Sequence, residues 1–275
     1  MLTTLTIDNR ENSIFRRKPL CFLPANSLKL SEKFAGDLRV RSLLYINRRG
    51  KLSLGRIARR VGETTVLYSG SDIKEAPGIN FFSAEKFRGR LCANMAIACL
   101  EALSKKPLPI KIGLYDPLGE AVDLPEHFLK FTHEVFVVTD SVELYRDRAQ
   151  EIMWERGAPL SVSRRSEVLS RCDLIVAPHR ITTGFGVKNN AVVLTCARPE
   201  KSLSCRVYYR YDFKLPPPFH ELKPDGIDTE LFAAGLYEIC KIYSLGNTVP
   251  LLCRGDFDTQ TYLSLGRIIK DVKST

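Results

Sequence analysis

Short apolar runs alternate with amphipathic stretches through the middle of the chain. Runs at residues 110–115, 135–139, 160–162 and 173–177 are rich in β-branched and aromatic residues, which is typical of strands covered on both faces. Helical patterns separate them, the longest over residues 142–156. Because strands that alternate with helices favour parallel pairing through right-handed crossovers, the pattern predicts a doubly wound, mainly parallel α/β core of the Rossmann type.

The pattern extends this core in both directions. A helix is predicted over residues 84–104, where apolar residues recur at helical spacing, and Pro107 prevents its continuation. Further strands are expected near residues 191–195 and 207–211, and further helices near 229–242 and 258–269. Residues 84–275 are therefore predicted to form one Rossmann-like α/β domain that includes a linker helix and C-terminal helices.

The first 83 residues have a different pattern. Only short β-prone runs occur, at residues 40–46 and 64–68, and turn-forming residues follow them. They predict a smaller, basic α+β domain over residues 1–83. No internal repeat suggests a more regular architecture for this part of the chain.

The formal net charge of +10 belongs to the N-terminal region, because residues 1–60 contain fourteen lysines and arginines but only four acidic residues. The basic residues cluster at 16–18, at 48–51 and at 56–60. Such a surface suits nucleic acid, an acidic partner or a phosphorylated ligand. A solvated basic face without a dedicated ligand is the alternative.

Other features restrict the class of protein. No run of 18 or more apolar residues occurs, so no membrane span is expected, and the charged N-terminus does not resemble a signal peptide. The eight cysteines lack the spacing of a zinc site, and Asp225 and Asp228 fit a turn and a helix cap. We therefore expect a cytoplasmic protein with reduced cysteines and no metal site.

Candidate chemistry lies in the loops that follow the strands, because doubly wound sheets bind ligands beyond the carboxyl ends of their strands. Three loops qualify, and their candidate ligand-binding residues are Asp116, Gly119, Asp140, His179, Arg180 and Thr182. His179 follows a buried strand, so it is the candidate for a general acid–base or a phosphate contact. An ordinary loop histidine is the alternative.

Residues 135–178 carry a family resemblance. The segment VFVVTDSVELYRDRAQEIMWERGAPLSVSRRSEVLSRCDLIVAP resembles the second half of the cofactor domain of shikimate-dehydrogenase-like and glutamyl-tRNA-reductase-like proteins. The matching features are the strand that ends at Asp140, the Arg148-Ala149 pair and the strand at residues 172–176. The resemblance implies an NAD(P) cofactor and assigns Asp140 to the hydroxyls of its ribose. A carboxylate at that place would favour a cofactor without a 2′-phosphate.

The glycine loop departs from this family pattern. Dinucleotide-binding domains carry Gly-x-Gly-x-x-Gly after the first strand, where the glycines allow the backbone to approach pyrophosphate. Here the corresponding segment runs from Gly113 to Gly119 and contains Asp116 and Pro117. Proline has no N–H to donate, and a carboxylate repels an anionic ligand. The loop is therefore a degenerate version of the fingerprint.

Three functions remain open from the sequence. The first is a non-catalytic or degenerate module that binds a nucleotide or another small molecule, which the altered loop favours. The second is an NAD(P)-dependent oxidoreductase related to shikimate dehydrogenase. The third is a nucleic-acid-binding protein that uses the basic N-terminal region.

Overall fold

The computed structural model describes residues 1–9, 25–48, 52–70, 73, 75–103 and 109–271. The basic cluster predicted at 16–18 lies outside these residues, as do residues 49–51 of the cluster predicted at 48–51. The chain divides into two compact units. One contains Met1–Ala84 and Leu215–Tyr243, and the other contains Glu85–Lys214 and Ser244–Thr275.

The N-terminal part of the first unit is a mixed sheet with one helix. Its elements are β1 (Leu2–Asn9), β2 (Ser27–Ala35), β3 (Leu38–Asn47), α1 (Leu54–Val61), β4 (Thr65–Tyr68) and β5 (Asn80–Phe81). The strand order is β2-β3-β1-β4-β5, and only β2 pairs antiparallel with its neighbour. Ile57 and Val61 of α1 are buried against Leu5, Leu43 and other core residues of this sheet.

The second unit begins with a long helix and continues with alternating strands and helices. Its elements are α2 (Glu85–Leu103), β6 (Lys111–Tyr115), α3 (Leu124–Phe128), β7 (Glu134–Val138), α4 (Val142–Arg156), β8 (Leu160–Ser163), a 3-10 helix (Ser166–Arg171), β9 (Leu174–Ala177), β10 (Val192–Thr195) and β11 (Arg206–Asp212). Residues 178–191 and 196–205 contain neither helix nor strand. The apolar residues of β6, β9 and β10 are almost completely buried, as continuous apolar runs predict.

Residues 215–243 return to the first unit with two helices, α5 (Phe219–Leu222) and α6 (Thr229–Glu238). Gly235 packs so closely on β1 and β4 that a Cβ atom would lie 2.7 Å from Leu67 Cδ2 and 2.9 Å from Leu2 Cδ1. Lys33 Nζ donates to the Glu221 carbonyl at 2.8 Å. The predicted extent of the Rossmann-like domain, residues 84–275, is therefore wrong for this segment, because its helices cover the other sheet.

The chain then completes the second unit with β12 (Leu252–Gly255), β13 (Thr259–Thr261) and α7 (Tyr262–Asp271). The strand order of the second sheet is β13-β12-β11-β10-β9-β6-β7-β8. Neighbours from β6 to β11 are parallel, whereas β12 and β13 are antiparallel additions. Numbered along the chain, the six parallel strands have the Rossmann order 3-2-1-4-5-6. The predicted doubly wound, mainly parallel Rossmann-like fold with a smaller N-terminal α+β region is confirmed. Within the described ranges, no helix is long and apolar enough to cross a bilayer.

Candidate functional site at the strand-order switch

The second sheet changes direction of winding between β6 and β9, which are neighbours although they are the first and fourth parallel strands. A crevice forms at such a switch point because the connections leave the two strands toward opposite faces of the sheet. In this unit a cleft of about 540 Å³ lies there. Its size falls within the usual range of small-molecule sites.

The loop after β6 folds around the carboxylate of Asp116. Oδ1 accepts hydrogen bonds from the backbone N–H groups of Gly119 at 3.1 Å and Glu120 at 3.3 Å. Oδ2 accepts from the Ala121 N–H at 2.8 Å and from the Tyr145 hydroxyl at 2.6 Å. Asp116 is completely buried. The carboxylate thus takes up three successive amide donors of the loop and one phenol from α4.

His179 is the fifth neighbour of this carboxylate. It follows β9, and its Nε2 atom lies 3.0 Å from Asp116 Oδ1. The ring N–H does not point closely enough at the oxygen for an aligned hydrogen bond, so the contact is better described as an electrostatic pairing. The side chain of His179 keeps 19% of its surface exposed and lines the cleft. Asp116 therefore orients a histidine that a ligand can reach.

The charge of this pair follows from its surroundings. Burial raises the pKa of the Asp116 carboxyl, but His179, the Tyr145 hydroxyl and the Ala121 amide outweigh burial, so the pKa lies below its usual value. Burial, together with the adjacent carboxylate, raises the pKa of the Tyr145 hydroxyl. At neutral pH the site therefore contains a buried carboxylate that accepts a hydrogen bond from the neutral Tyr145 phenol and lies against His179.

The two glycines of the segment from Gly113 to Gly119 have packing roles. A Cβ atom on Gly113 would lie 2.6 Å from Leu169 Cδ2, so this glycine lets the 3-10 helix approach β6. Gly119 has a φ of +74°, and a Cβ there would lie 2.7 Å from Ser141 Cβ. The next helix, α3, begins only at Leu124 and has five residues. The loop between β6 and α3 is thus closed on the carboxylate of its own Asp116.

The candidate residues chosen from the sequence have distinct positions. Asp140, His179, Arg180 and Thr182 all line the cleft, although they come from the loops after β7 and β9. Arg180 Nη2 is held 2.9 Å from Glu85 Oε1 at the start of α2. Asp116 and Gly119 are not among the residues that line the cleft. Asp116 lies behind His179, and Gly119 packs against Ser141.

Other cleft residues were missed from the sequence. Arg164 and Ser166 follow β8, so the rule that selects carboxyl ends of strands also selects them. Thr183 belongs to the loop that supplied His179, and its Oγ1 lies 3.5 Å from the Tyr115 hydroxyl. Glu85 comes from a different part of the chain through the packing of α2. Nothing in the local sequence around Glu85 indicates that position.

No group of three or more potential metal ligands is assembled in the part of the chain that the structure describes. No protein-family model matches the chain, and no curated protein is similar to it. Among solved structures, an L-tryptophan dehydrogenase from Nostoc punctiforme is similar over 84% of this chain and 68% of its own, with 11% sequence identity and a TM-score of 0.33. This likeness supports no statement about activity.

Proposed function

We propose that the second unit binds one nucleoside-containing small molecule in the cleft at the strand-order switch, without the pyrophosphate contact of dinucleotide-binding domains. One observation carries the proposal: the Asp116 carboxylate takes the N–H groups of residues 119–121 while the cleft beside it stays open. A phosphate would have to displace a buried carboxylate whose charge is already satisfied. Displacing it would leave that carboxylate without partners, which is strongly unfavourable.

The nucleoside end of the ligand is assigned to Asp140 and Arg164. Asp140 is exposed in the cleft directly after β7, where the resemblance to shikimate-dehydrogenase-like proteins expects the contact with ribose hydroxyls. A carboxylate accepts two hydroxyl protons well, so a ribose fits this position. Val138 and Pro117 supply apolar surface near it for a planar base. These features support a nucleoside more directly than they support a sugar or an amino acid.

The loop after β6 favours a protein that binds its ligand without transferring a hydride. The alternative is an NAD(P)-dependent oxidoreductase, which requires the two halves of a dinucleotide to be joined across the loop after β6. That loop contributes Pro117, which has no N–H, and the closed turn around Asp116. The two alternatives therefore differ in whether a pyrophosphate adds affinity to a nucleoside.

Thermal-shift titration distinguishes them. Adenosine, guanosine, uridine, the two mononucleotide halves of NAD⁺, NAD⁺ itself and NADP⁺ are each added at about 1 mM; a ligand present at ten times its Kd stabilises by about 1.4 kcal/mol. We expect at least one nucleoside to raise the melting temperature. NAD⁺ should raise it no more than whichever of its two halves stabilises the protein more. Asp140→Asn should abolish the shift, whereas Asp147→Asn, an exposed carboxylate on α4, should retain it.

Two results would contradict the proposal. If none of the nucleosides stabilises the protein, the cleft is not a nucleoside site. If NAD⁺ or NADP⁺ stabilises it far more than either half, the pyrophosphate is bound and the oxidoreductase alternative gains support.

The nucleic-acid alternative concerns the first unit and stays a prediction. Arg56, Arg59 and Arg60 are exposed on α1, although Arg56 and Arg59 also donate to the backbone carbonyls of Asn26 and Gly55. If these arginines contact phosphates, the affinity for RNA or DNA falls steeply with salt, and replacing Arg59 and Arg60 by Gln lowers the logarithmic salt slope by about 2. Fluorescence anisotropy with a labelled duplex and a labelled single strand measures this. No binding at low salt would eliminate the alternative.

A further inference from the structure

The end of the cleft next to β9 has hydrogen-bonding groups that are not assigned to the proposed nucleoside. His179, Thr182 and Thr183 line this end, and the two threonines are exposed. The Tyr115 hydroxyl lies 3.5 Å from Thr183 Oγ1 and forms the wall behind it. Hydroxyl groups and an imidazole are typical partners of carboxylate and phosphate oxygens.

The orientation of His179 leaves one ring nitrogen for a ligand. Nε2 is buried against Asp116, so the imidazole is held by that side of its ring. No described residue forms a hydrogen bond with Nδ1. A histidine held through one nitrogen by a buried carboxylate presents its other nitrogen in a fixed direction, as orienting carboxylates do in proton-transferring sites. In a singly protonated ring with its proton on Nε2, Nδ1 accepts; after uptake of a second proton it donates.

The charges around the cleft decide where an acidic group can lie. The charged groups that face it are Glu85 of α2, Asp140 after β7, Arg164 after β8 and Arg180 beside His179, while the buried Asp116 lies behind His179. Asp140 repels an anion at the nucleoside end. Arg180 is paired with Glu85 at 2.9 Å, and the loop amides are occupied by Asp116. The threonine hydroxyls, and His179 once its ring carries a second proton, are thus the donors that remain at the opposite end.

We propose that His179, Thr182 and Thr183 form a subsite for an acidic group of the ligand, a phosphate monoester or a carboxylate. The inference rests on the proposed nucleoside site and specifies its ligand class as a nucleoside that carries one acidic group, such as a nucleoside monophosphate. Binding of the acidic group places the second proton on His179, so that Nδ1–H donates to the anion. One proton is taken up from solvent in this step, and no covalent bond is formed or broken.

Histidine NMR tests the subsite without any substitution. The chain has four histidines, and the other three, His127, His133 and His220, are exposed and do not line the cleft. With ¹⁵N-labelled histidine at constant pH near 7.5, saturating AMP should move both ring nitrogens of one histidine to the values of a doubly protonated imidazole. The other three should not move. Adenosine at saturation should leave all four in place.

Affinities provide the second measurement. In the wild-type protein we expect AMP to bind at least tenfold more tightly than adenosine by calorimetry. His179→Gln should bring the ratio of the two affinities close to one, and Thr183→Val, a substitution of an exposed residue that does not touch Asp116, should reduce it severalfold. His127→Gln, an exposed histidine in the same unit, should leave the ratio unchanged.

The outcomes separate this inference from the proposal beneath it. If adenosine binds, AMP binds no more tightly and His179 does not change its protonation, the acidic subsite is disproved while the nucleoside site stands. If neither compound binds, the nucleoside site fails and the subsite fails with it. A response of all four histidines to AMP would indicate unspecific anion binding and would also disprove the subsite.

Discussion

Replacing Asp116 by Asn is expected to destabilise the second unit by about 3 kcal/mol, because it removes one partner of a buried charged network. The carboxylate accepts three backbone N–H groups and the Tyr145 hydroxyl, and it faces His179 at 3.0 Å. An amide of the same shape presents two N–H groups to neighbours that are themselves donors. Hydrogen exchange of the β6 and β9 amides measures the loss within this unit, and it should accelerate roughly 100-fold.

A matched control for this substitution is Asp256→Asn. Asp256 also accepts a tyrosine hydroxyl, from Tyr209 at 2.5 Å, and pairs with Arg198 at 3.0 Å. It is exposed, however, so solvent screens its interactions and a much smaller change is expected. Equal losses of stability from the two substitutions would show that the buried network around Asp116 stabilises the unit no more than an exposed carboxylate does.

Acid should weaken the second unit through the same carboxyl group. The pKa of Asp116 is lowered in the folded state from its ordinary value of 3.8, so the unfolded chain binds its proton first as the pH falls. The stabilisation is complete above the unfolded value and is lost as the pH falls through the lowered folded value. Asp116→Asn should remove this part of the pH dependence, which exchange rates between about pH 5 and pH 3 would show.

Replacing Gly89 by Ala is expected to destabilise the second unit by about 2 kcal/mol and to disturb the cleft. A Cβ atom at this position of α2 would lie 2.5 Å from the Pro178 carbonyl oxygen, which belongs to the backbone and cannot rotate away. The helix must therefore shift relative to the end of β9. Because His179 and Arg180 directly follow Pro178 and line the cleft, the affinity for any ligand of the cleft should fall as well. Exchange rates and the calorimetric affinity for AMP report the two effects.

Gly55→Ala in α1 is the control for this prediction. No atom lies within 4 Å of a Cβ built at Gly55, so the same substitution meets open space in a helix. Alanine has the better helix propensity, and a gain of up to about 1 kcal/mol is expected in the first unit. If Gly89→Ala is tolerated as well as Gly55→Ala, the close approach of α2 to β9 is not a constraint on the site.

The parallel core could be predicted because each of its strands is recognisable from its own short run of apolar residues, without knowledge of distant contacts. Residues such as Ile175 and Val137 lie in short, β-branched runs that are apolar on both faces, which is typical of a covered parallel strand. Once those strands are placed, the rule about carboxyl ends selects Asp140, His179, Arg180 and Thr182. The structure brings all four to one cleft.

Other parts of the fold depend on contacts that the local pattern does not contain. Strand β2 is exposed over much of its length: Leu28, Leu30 and Phe34 share one face, but Glu32 interrupts it, and Leu30 and Phe34 are exposed. Residues 259–261 were predicted as helix but pair with β12, because Thr-Gln-Thr suits an edge strand as well as a helix start. The apolar face of the helix at Thr229–Glu238 is visible in the sequence, but the sheet that it covers is not: its Gly235 packs on Leu2 and Leu67, which are more than 160 residues away along the chain.

The role of Asp116 shows why the site chemistry was only partly accessible. From the sequence, a carboxylate beside Pro117 indicates repulsion of a phosphate, which assumes that the side chain faces the ligand. In the structure it turns inward, because the N–H groups of residues 119–121, the Tyr145 hydroxyl and His179 surround it. Tyr145 is 29 residues and His179 is 63 residues from Asp116 along the chain, so no local sequence pattern predicts this arrangement.

The backbone amide resonances of Gly119, Glu120 and Ala121 during a titration with NAD⁺ provide the most direct measurement. With the Asp116 carboxylate as their acceptor, these three ¹H–¹⁵N signals should stay in place up to millimolar NAD⁺, even if signals from Asp140 or Arg164 respond to the nucleoside halves. Saturable shifts of the three amides, of the size that a new phosphate acceptor produces, would show that the loop binds pyrophosphate and would contradict the account of this site.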